Sequence, residues 1–171
     1  MQLFTGILRV VQLLFAVIVL GLSITLAKGQ HDGVLPPATG YAAFTGALGI
    51  VASLIGFAAL FIDSLDGVIT WLIDGVTSLA LLAGGITYAV LLRGTSCSNW
   101  QTLQDNVLLS GGCAAAFDDS FKACYYAGYH LYSELEGRCK SATADAAFMI
   151  LGFLICVAVL IVSFVSGRYR R

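Results

Sequence analysis

Few residues in this chain carry side chains that do chemistry, and two of them lie in stretches that are otherwise apolar. Arg9 falls in Leu3–Ala27 and Asp74 in Gly67–Leu92. A single charge in hydrocarbon is costly, so ionisable groups at such positions either pair or serve a function. Arg9 comes about six residues into its stretch and Asp74 about seven into its own, and at 1.5 Å rise per residue that is roughly 9–11 Å of depth. If the two stretches enter a membrane from the same side, equal depth predicts an intramembrane ion pair between Arg9 and Asp74. The alternative is a carboxylate that senses protons or a ligand.

The other reactive side chains give less. His31 and His130 are the only histidines and lie in different loops. The sequence has no HExxH, GxSxG, Walker or GxGxxG pattern, so no catalytic residues are assigned and an enzyme is disfavoured. Cys97, Cys113, Cys124 and Cys139 share one polar segment, with 15, 10 and 14 residues between them. Zinc sites use close C-x₂₋₄-C pairs, so no metal is expected, and no cofactor either. Four cysteines in a loop of roughly 50 residues point to disulfides in an oxidising compartment. Cys156, in an apolar stretch, reads as a small core residue. Tyr125, Tyr126, Tyr129 and Tyr132 read as interface or packing aromatics.

The elements that position these residues follow from composition. Of 171 residues, 58% are hydrophobic and only 11% charged, with net charge −1. A soluble domain of this size carries roughly a quarter charged residues. The balance excludes a water-soluble globule and gives no basic surface for nucleic acid. The expected fold is all-α and integral to the membrane: a single domain over 1–171, a four-helix transmembrane bundle. Its spans are about 3–27, 41–62, 67–92 and 146–165, with a long disulfide-bearing second outer loop over 94–145. Leu3–Ala27 reads as an uncleaved helix. Its apolar core after Arg9 runs 18 residues, longer than a signal-peptide core, with no clean small-x-small site after it.

Pro36 and Pro37 break the short connection between the first two spans. In span two, Thr45, Gly49 and Ser53 recur every four positions, as do Ala52 and Gly56; Ala80, Gly84 and Gly85 form a small set in span three. Such spacing lets helix backbones approach closely where lipid supplies no hydrophobic drive. Gly49, Ser53, Gly56 and Gly84 are the helix-packing candidates. Asp63–Asp66 makes a very short turn between spans two and three. Within the long loop, Phe117, Phe121, Cys124, Gly128, Leu131 and Leu135 fall on one helical face, predicting an amphipathic helical segment over Ala114–Glu136. A continuous helix there would hold Cys113, Cys124 and Cys139 too far apart to bridge, since 11 residues span about 16 Å. Either the segment breaks, at Gly128 or by starting near Cys124, or two bridges do not form.

Arg168, Arg170 and Arg171 follow span four and mark that end as cytoplasmic. Lys28 and Arg93 flank spans on the other side, and the loop cysteines decide for an outer loop with both termini cytoplasmic.

With these features in place, the chain resembles the MARVEL-domain membrane proteins, and more narrowly the fungal non-classical export protein family. The stretches that carry the likeness are ILRVVQLLF with Arg9, AGGITYAVLLRGTSC ending on Cys97, and Arg138-Cys139 leading into span four through ATADAAF. The resemblance implies a multi-pass plasma-membrane protein of furrow-like eisosome domains. It implies a role in membrane-domain organisation, a response to sphingolipid status and a link to non-classical protein export. It favours Cys97–Cys139 as one bridge, leaving Cys113–Cys124 as the second. The loop between Cys113 and Cys139 is elaborate for the family.

The expected function is a non-enzymatic organiser of eisosome-type plasma-membrane microdomains. Its partners would be membrane lipids (sphingolipid or sterol), with self-association or cortical eisosome proteins. The competing reading is a small transporter or channel subunit using Asp74, with Thr70, Thr77, Ser78 and Thr87 as the remaining polar candidates on span three.

Overall fold

The computed structural model describes residues 2–31, 34–61, 68–104, 106–115, 122–128 and 131–169. Four long helices dominate: α1 (Gln2–Lys28), α2 (Pro37–Ala59), α3 (Val68–Leu91) and a final helix, α6 (Tyr132–Tyr169). All four are long and apolar enough to cross a membrane. Each carries large apolar side chains on its outward face, among them Leu14, Leu54, Leu72, Leu79, Leu154 and Ile161. Apolar residues exposed on every outer face suit contact with lipid and not with water.

Local sequence explains the helix ends. Pro37 opens α2 at a first-turn position, where its missing N–H costs nothing. Lys28 closes α1, a favourable place for a cation beside the unpaired carbonyls. α6 is 38 residues long, about 57 Å, so it outruns a bilayer core by many turns. Span four is thus the terminal part of a helix that begins inside the long loop.

Around the bundle the order is α1, α2, α3, α6, each packing on its two neighbours. Glycines set the closest approaches. A Cβ at Gly46 would stand 2.7 Å from the Leu20 backbone nitrogen, and one at Gly49 would stand 2.9 Å from Ala16 Cβ, so α2 lies hard against α1. On the opposite side, a Cβ at Gly84 would meet Met149 Sδ at 2.8 Å, and one at Gly85 would meet Ile150 Cγ1 at 2.8 Å. In hydrocarbon these close backbone contacts supply the packing that water would otherwise drive.

The segment between α3 and α6 folds over one end of the bundle, termed here the loop end. It contains α4 (Trp100–Gln104), two strands and a single turn, α5 (Tyr125–Gly128). Leu103, Leu108 and Leu109 are buried with Tyr126, Leu135 and Cys139 in one apolar cluster that continues into the helices. Asn106 closes the end of α3, its Nδ2 donating to Leu91 O at 2.8 Å and to Thr95 Oγ1 at 2.9 Å.

Here the structure departs from a continuous helix over Ala114–Glu136 and takes the late start near Cys124 that the cysteine spacing left open. Cys113–Ala115 (β1) and Lys122–Cys124 (β2) pair antiparallel, with Cys113 opposite Cys124 and Ala115 opposite Lys122. Helix resumes at Tyr125–Gly128 and again from Tyr132. Facing residues of an antiparallel pair lie within about 5.5 Å, the spacing a disulfide needs, whereas the predicted helix would have separated them by about 16 Å. Cys124 is disulfide-bonded. Covalent and register constraints have overridden a local 3.6-residue pattern. Phe117, Asp118, Asp119 and Phe121 lie outside the described residues, as do the Asp63–Asp66 turn, Tyr129, His130, Arg170 and Arg171.

Candidate functional site

Arg9 and Asp74 meet across the bundle, from helices that are not neighbours in the ring. Arg9 Nη1 donates to Asp74 Oδ1 and Nη2 to Oδ2, each at 2.6 Å, the two-pronged geometry of a strong guanidinium–carboxylate pair. Both side chains are 2% exposed. Gln12, one turn along from Arg9, completes the cluster. Its Oε1 accepts from Arg9 Nη1 at 3.0 Å, and its Nε2 lies 3.4 Å from Asp74 Oδ1 and 3.3 Å from Cys156 Sγ. The helical spacing of Arg9 and Gln12 puts both on the inward stripe of α1.

The remaining helix contributes by having no side chain. A Cβ at Gly56 would collide with the Arg9 guanidinium, so the glycine makes the room in which the cation lies flat against α2. Arg9 Nε is buried and has no hydrogen-bond partner. All four long helices therefore meet at one polar layer: Arg9 and Gln12 from α1, Gly56 from α2, Asp74 from α3 and Cys156 from α6. Breaking such a pair strands a charge, a loss of about 3–5 kcal/mol, even though the intact pair is not itself a large source of stability.

Of the remaining packing candidates, Gly49 and Gly84 sit at the close approaches described above. Ser53 is buried, with its hydroxyl donating to Gly49 O at 2.7 Å, within its own helix. Three of the span-three hydroxyls behave the same way. Thr77 donates to Ile73 O, Ser78 to Gly75 O and Thr87 to Ala83 O. Hydroxyls bonded to their own helix are satisfied where they stand and offer little to a permeating solute.

Cys97 and Cys139 form a disulfide, with Cα atoms 5.6 Å apart. It ties the start of the long loop to the second turn of α6 across a sequence separation of 42. Cys156 is a free, buried thiol.

Two groups carry more than their sequence context disclosed. Arg138, next to the bridge, donates from Nε to Leu109 O at 2.9 Å, from Nη1 to Leu26 O at 3.2 Å and from Nη2 to Leu108 O at 3.4 Å. Its guanidinium carbon also lies 5.2 Å from the centre of the Tyr126 ring, whose hydroxyl donates to Gly29 O. One side chain thus fastens the long loop to the end of α1, where unpaired carbonyls favour a cation. His31 adds to this junction by stacking on Tyr125 with ring centres 4.2 Å apart, and its backbone N–H donates to Gly111 O. The second group is Asp145, which is fully buried and accepts a hydrogen bond from Ser23 Oγ at 2.8 Å. The Arg-Cys and Ala-Asp-Ala contexts read as loop residues, and nothing in their spacing marked them as buried.

Fold and site together define a multi-pass membrane bundle in which Arg9 and Asp74 are tied to each other and Arg138 to backbone. The MARVEL model, described as a membrane-associating domain, matches residues 2–162. The chain belongs to the MARVEL family. Comparison with curated proteins and with solved structures gave no match.

Proposed function

We propose that the protein is a non-enzymatic lateral organiser of the plasma membrane. It works in eisosome-type microdomains, with both termini in the cytoplasm and the bridged loop outside. Its partners are membrane lipids, sphingolipid or sterol, together with further copies of itself and cortical proteins of the domain. Its link to non-classical protein export is indirect, through the membrane domain it organises.

The observation that carries this reading is the closed polar layer. Arg9 and Asp74 spend their charges on each other at 2% exposure. The hydroxyls of Thr77, Ser78 and Thr87 are spent on their own helix. A conduit needs polar groups that can exchange partners with a solute, and these are engaged. The outer faces, by contrast, offer extensive apolar surface to lipid. One shallow groove between α3 and α6, lined by Trp71, Val157, Leu160, Ile161 and Phe164, is wholly apolar and suits an acyl chain.

Imaging of a tagged copy tests the proposal. The organiser reading expects a patchy plasma-membrane distribution that disperses or redistributes when sphingolipid synthesis is blocked. A distribution that is uniform and indifferent to the block would overturn it. Reconstitution in liposomes tests the competing conduit reading: solute flux that is lost on Asp74→Asn would replace the organiser with a transporter.

A further inference from the structure

The loop end of the bundle holds a second polar layer built very differently from the first. Asp145 on α6 is 0% exposed, and so is Tyr88 on α3. Ser23 on α1 and Thr39 on α2 are buried beside them, so again all four long helices contribute. Ser23 Oγ donates to Asp145 Oδ2 at 2.8 Å, but Asp145 Oδ1 has no partner. Tyr88 Oη comes near the Thr39 hydroxyl yet makes no hydrogen bond of good geometry, and it feels both the Asp145 carboxyl and the Arg138 guanidinium through space.

What the layer lacks is a counter-ion. The two ion pairs among the described residues are Arg9–Asp74 and Lys140–Glu136. On Asp145's own helix, Arg138 lies seven residues earlier, about 10 Å along the axis, and its guanidinium is spent on three carbonyl oxygens. Lys140 is exposed and held by Glu136. On α1 the nearest charge is Lys28, five residues beyond Ser23; past the end of α3 it is Arg93, five residues beyond Tyr88; α2 carries no charged residue, and its Tyr41 hydroxyl donates to Ala80 O. From the loop, Tyr126 faces Arg138. Asp32 and Asp105 lie outside the described residues. A buried carboxylate with one hydroxyl donor and no cation is far more costly than its neutral acid.

We propose that Asp145 is a proton-binding site: the folded bundle carries it as the neutral acid, buried and accepting from Ser23. As the neutral acid Asp145 puts no uncompensated charge into the layer, and Tyr88 beside Thr39 adds none. The two layers thereby divide the work. The Arg9 layer is closed by an ion pair, while the Asp145 layer holds its carboxyl neutral and takes on charge only when the proton leaves. Loss of that proton places an uncompensated charge where the long loop meets the helices, which loosens the loop end of the bundle.

The test uses the full chain in lipid nanodiscs. Infrared spectra at neutral pH should contain a carbonyl stretch of a protonated carboxylic acid that is missing in Asp145→Asn. Asparagine has nearly the shape of the neutral acid, so the variant should fold and be at least as heat-stable as the parent. The folded chain holds a proton here that a water-exposed carboxyl gives up, so thermal stability should decline as pH rises, and Asp145→Asn should lack that part of the decline. Three results would each overturn the proposal: identical acid bands in the two proteins, collapse of Asp145→Asn at neutral pH, or stability that follows sodium or potassium concentration at fixed pH. The last would make the site one for a metal cation.

Discussion

Arg9 and Asp74 hold each other with both side chains withdrawn from solvent, which makes the pair unequal to single and double substitution. Asp74→Ala leaves the guanidinium buried without its partner and should lower stability by about 3–5 kcal/mol. Replacing both residues with leucine or methionine removes both desolvation costs and should restore much of that loss. Thermal unfolding of the purified variants measures the difference; a double variant no better than Asp74→Ala would mean the charges contribute something beyond pairing. This pair was legible in the sequence because depth along a helix follows from counting residues and because charges in apolar stretches have few ways to be satisfied. Asp145 was not legible for the complementary reason. It stands one residue before the apolar run of Ala146–Val165, where an aspartate looks like the solvated start of a span. Only the extension of α6 back to Tyr132, and the arrival of α1 alongside it, turn that position inward.

At the scale of elements, contact between α1 and α2 rests on residues without side chains. Gly46 and Gly21 make a matched comparison, because a Cβ at Gly46 would press on the Leu20 backbone while one at Gly21 would meet nothing within 4 Å. Gly46→Ala should therefore force the helices apart at about 1–3 kcal/mol, and Gly21→Ala should be tolerated. Melting temperatures of the two variants in one detergent give the comparison; equal losses would mean that neither position lies at a close approach. Small-residue spacing in the sequence pointed to the right helix and to Gly49 and Gly56, but it missed Gly46, since which glycine meets backbone depends on the rotation and crossing of the neighbour. The loop shows the opposite failure. Its 3.6-residue pattern is real in Leu131 and Leu135, which lead into α6, yet Cys113–Ala115 and Lys122–Cys124 are strands. Pairing Cys113 opposite Cys124 satisfies a constraint that acts across the chain; the cysteine spacing showed that a continuous helix must give way there, but the hydrophobic period along the chain does not show that strands replace it.

For the whole molecule, two features act as fasteners at the loop end: the Cys97–Cys139 bridge and the fan of bonds from Arg138. They lie one residue apart on α6, so the long loop is anchored to the helices at one place by a covalent bond and a cation. The four-helix architecture was readable from hydropathy because the bilayer demands lengths and compositions that few soluble segments meet. Of the two fasteners, the Cys97–Cys139 bridge is the one the family resemblance favoured, whereas the Arg138 fan was not readable, since it uses backbone carbonyls that every residue possesses. The central claim is that four helices cross the membrane with this anchored loop outside and both ends of the chain within. An impermeant thiol reagent, applied to intact cells after mild reduction, tests it most directly. Cys97, which is partly exposed, should be labelled on intact cells, while a tag placed after Arg171 should be reached only once the cells are permeabilised. Labelling of the tag on intact cells, with Cys97 protected until permeabilisation, would contradict the account.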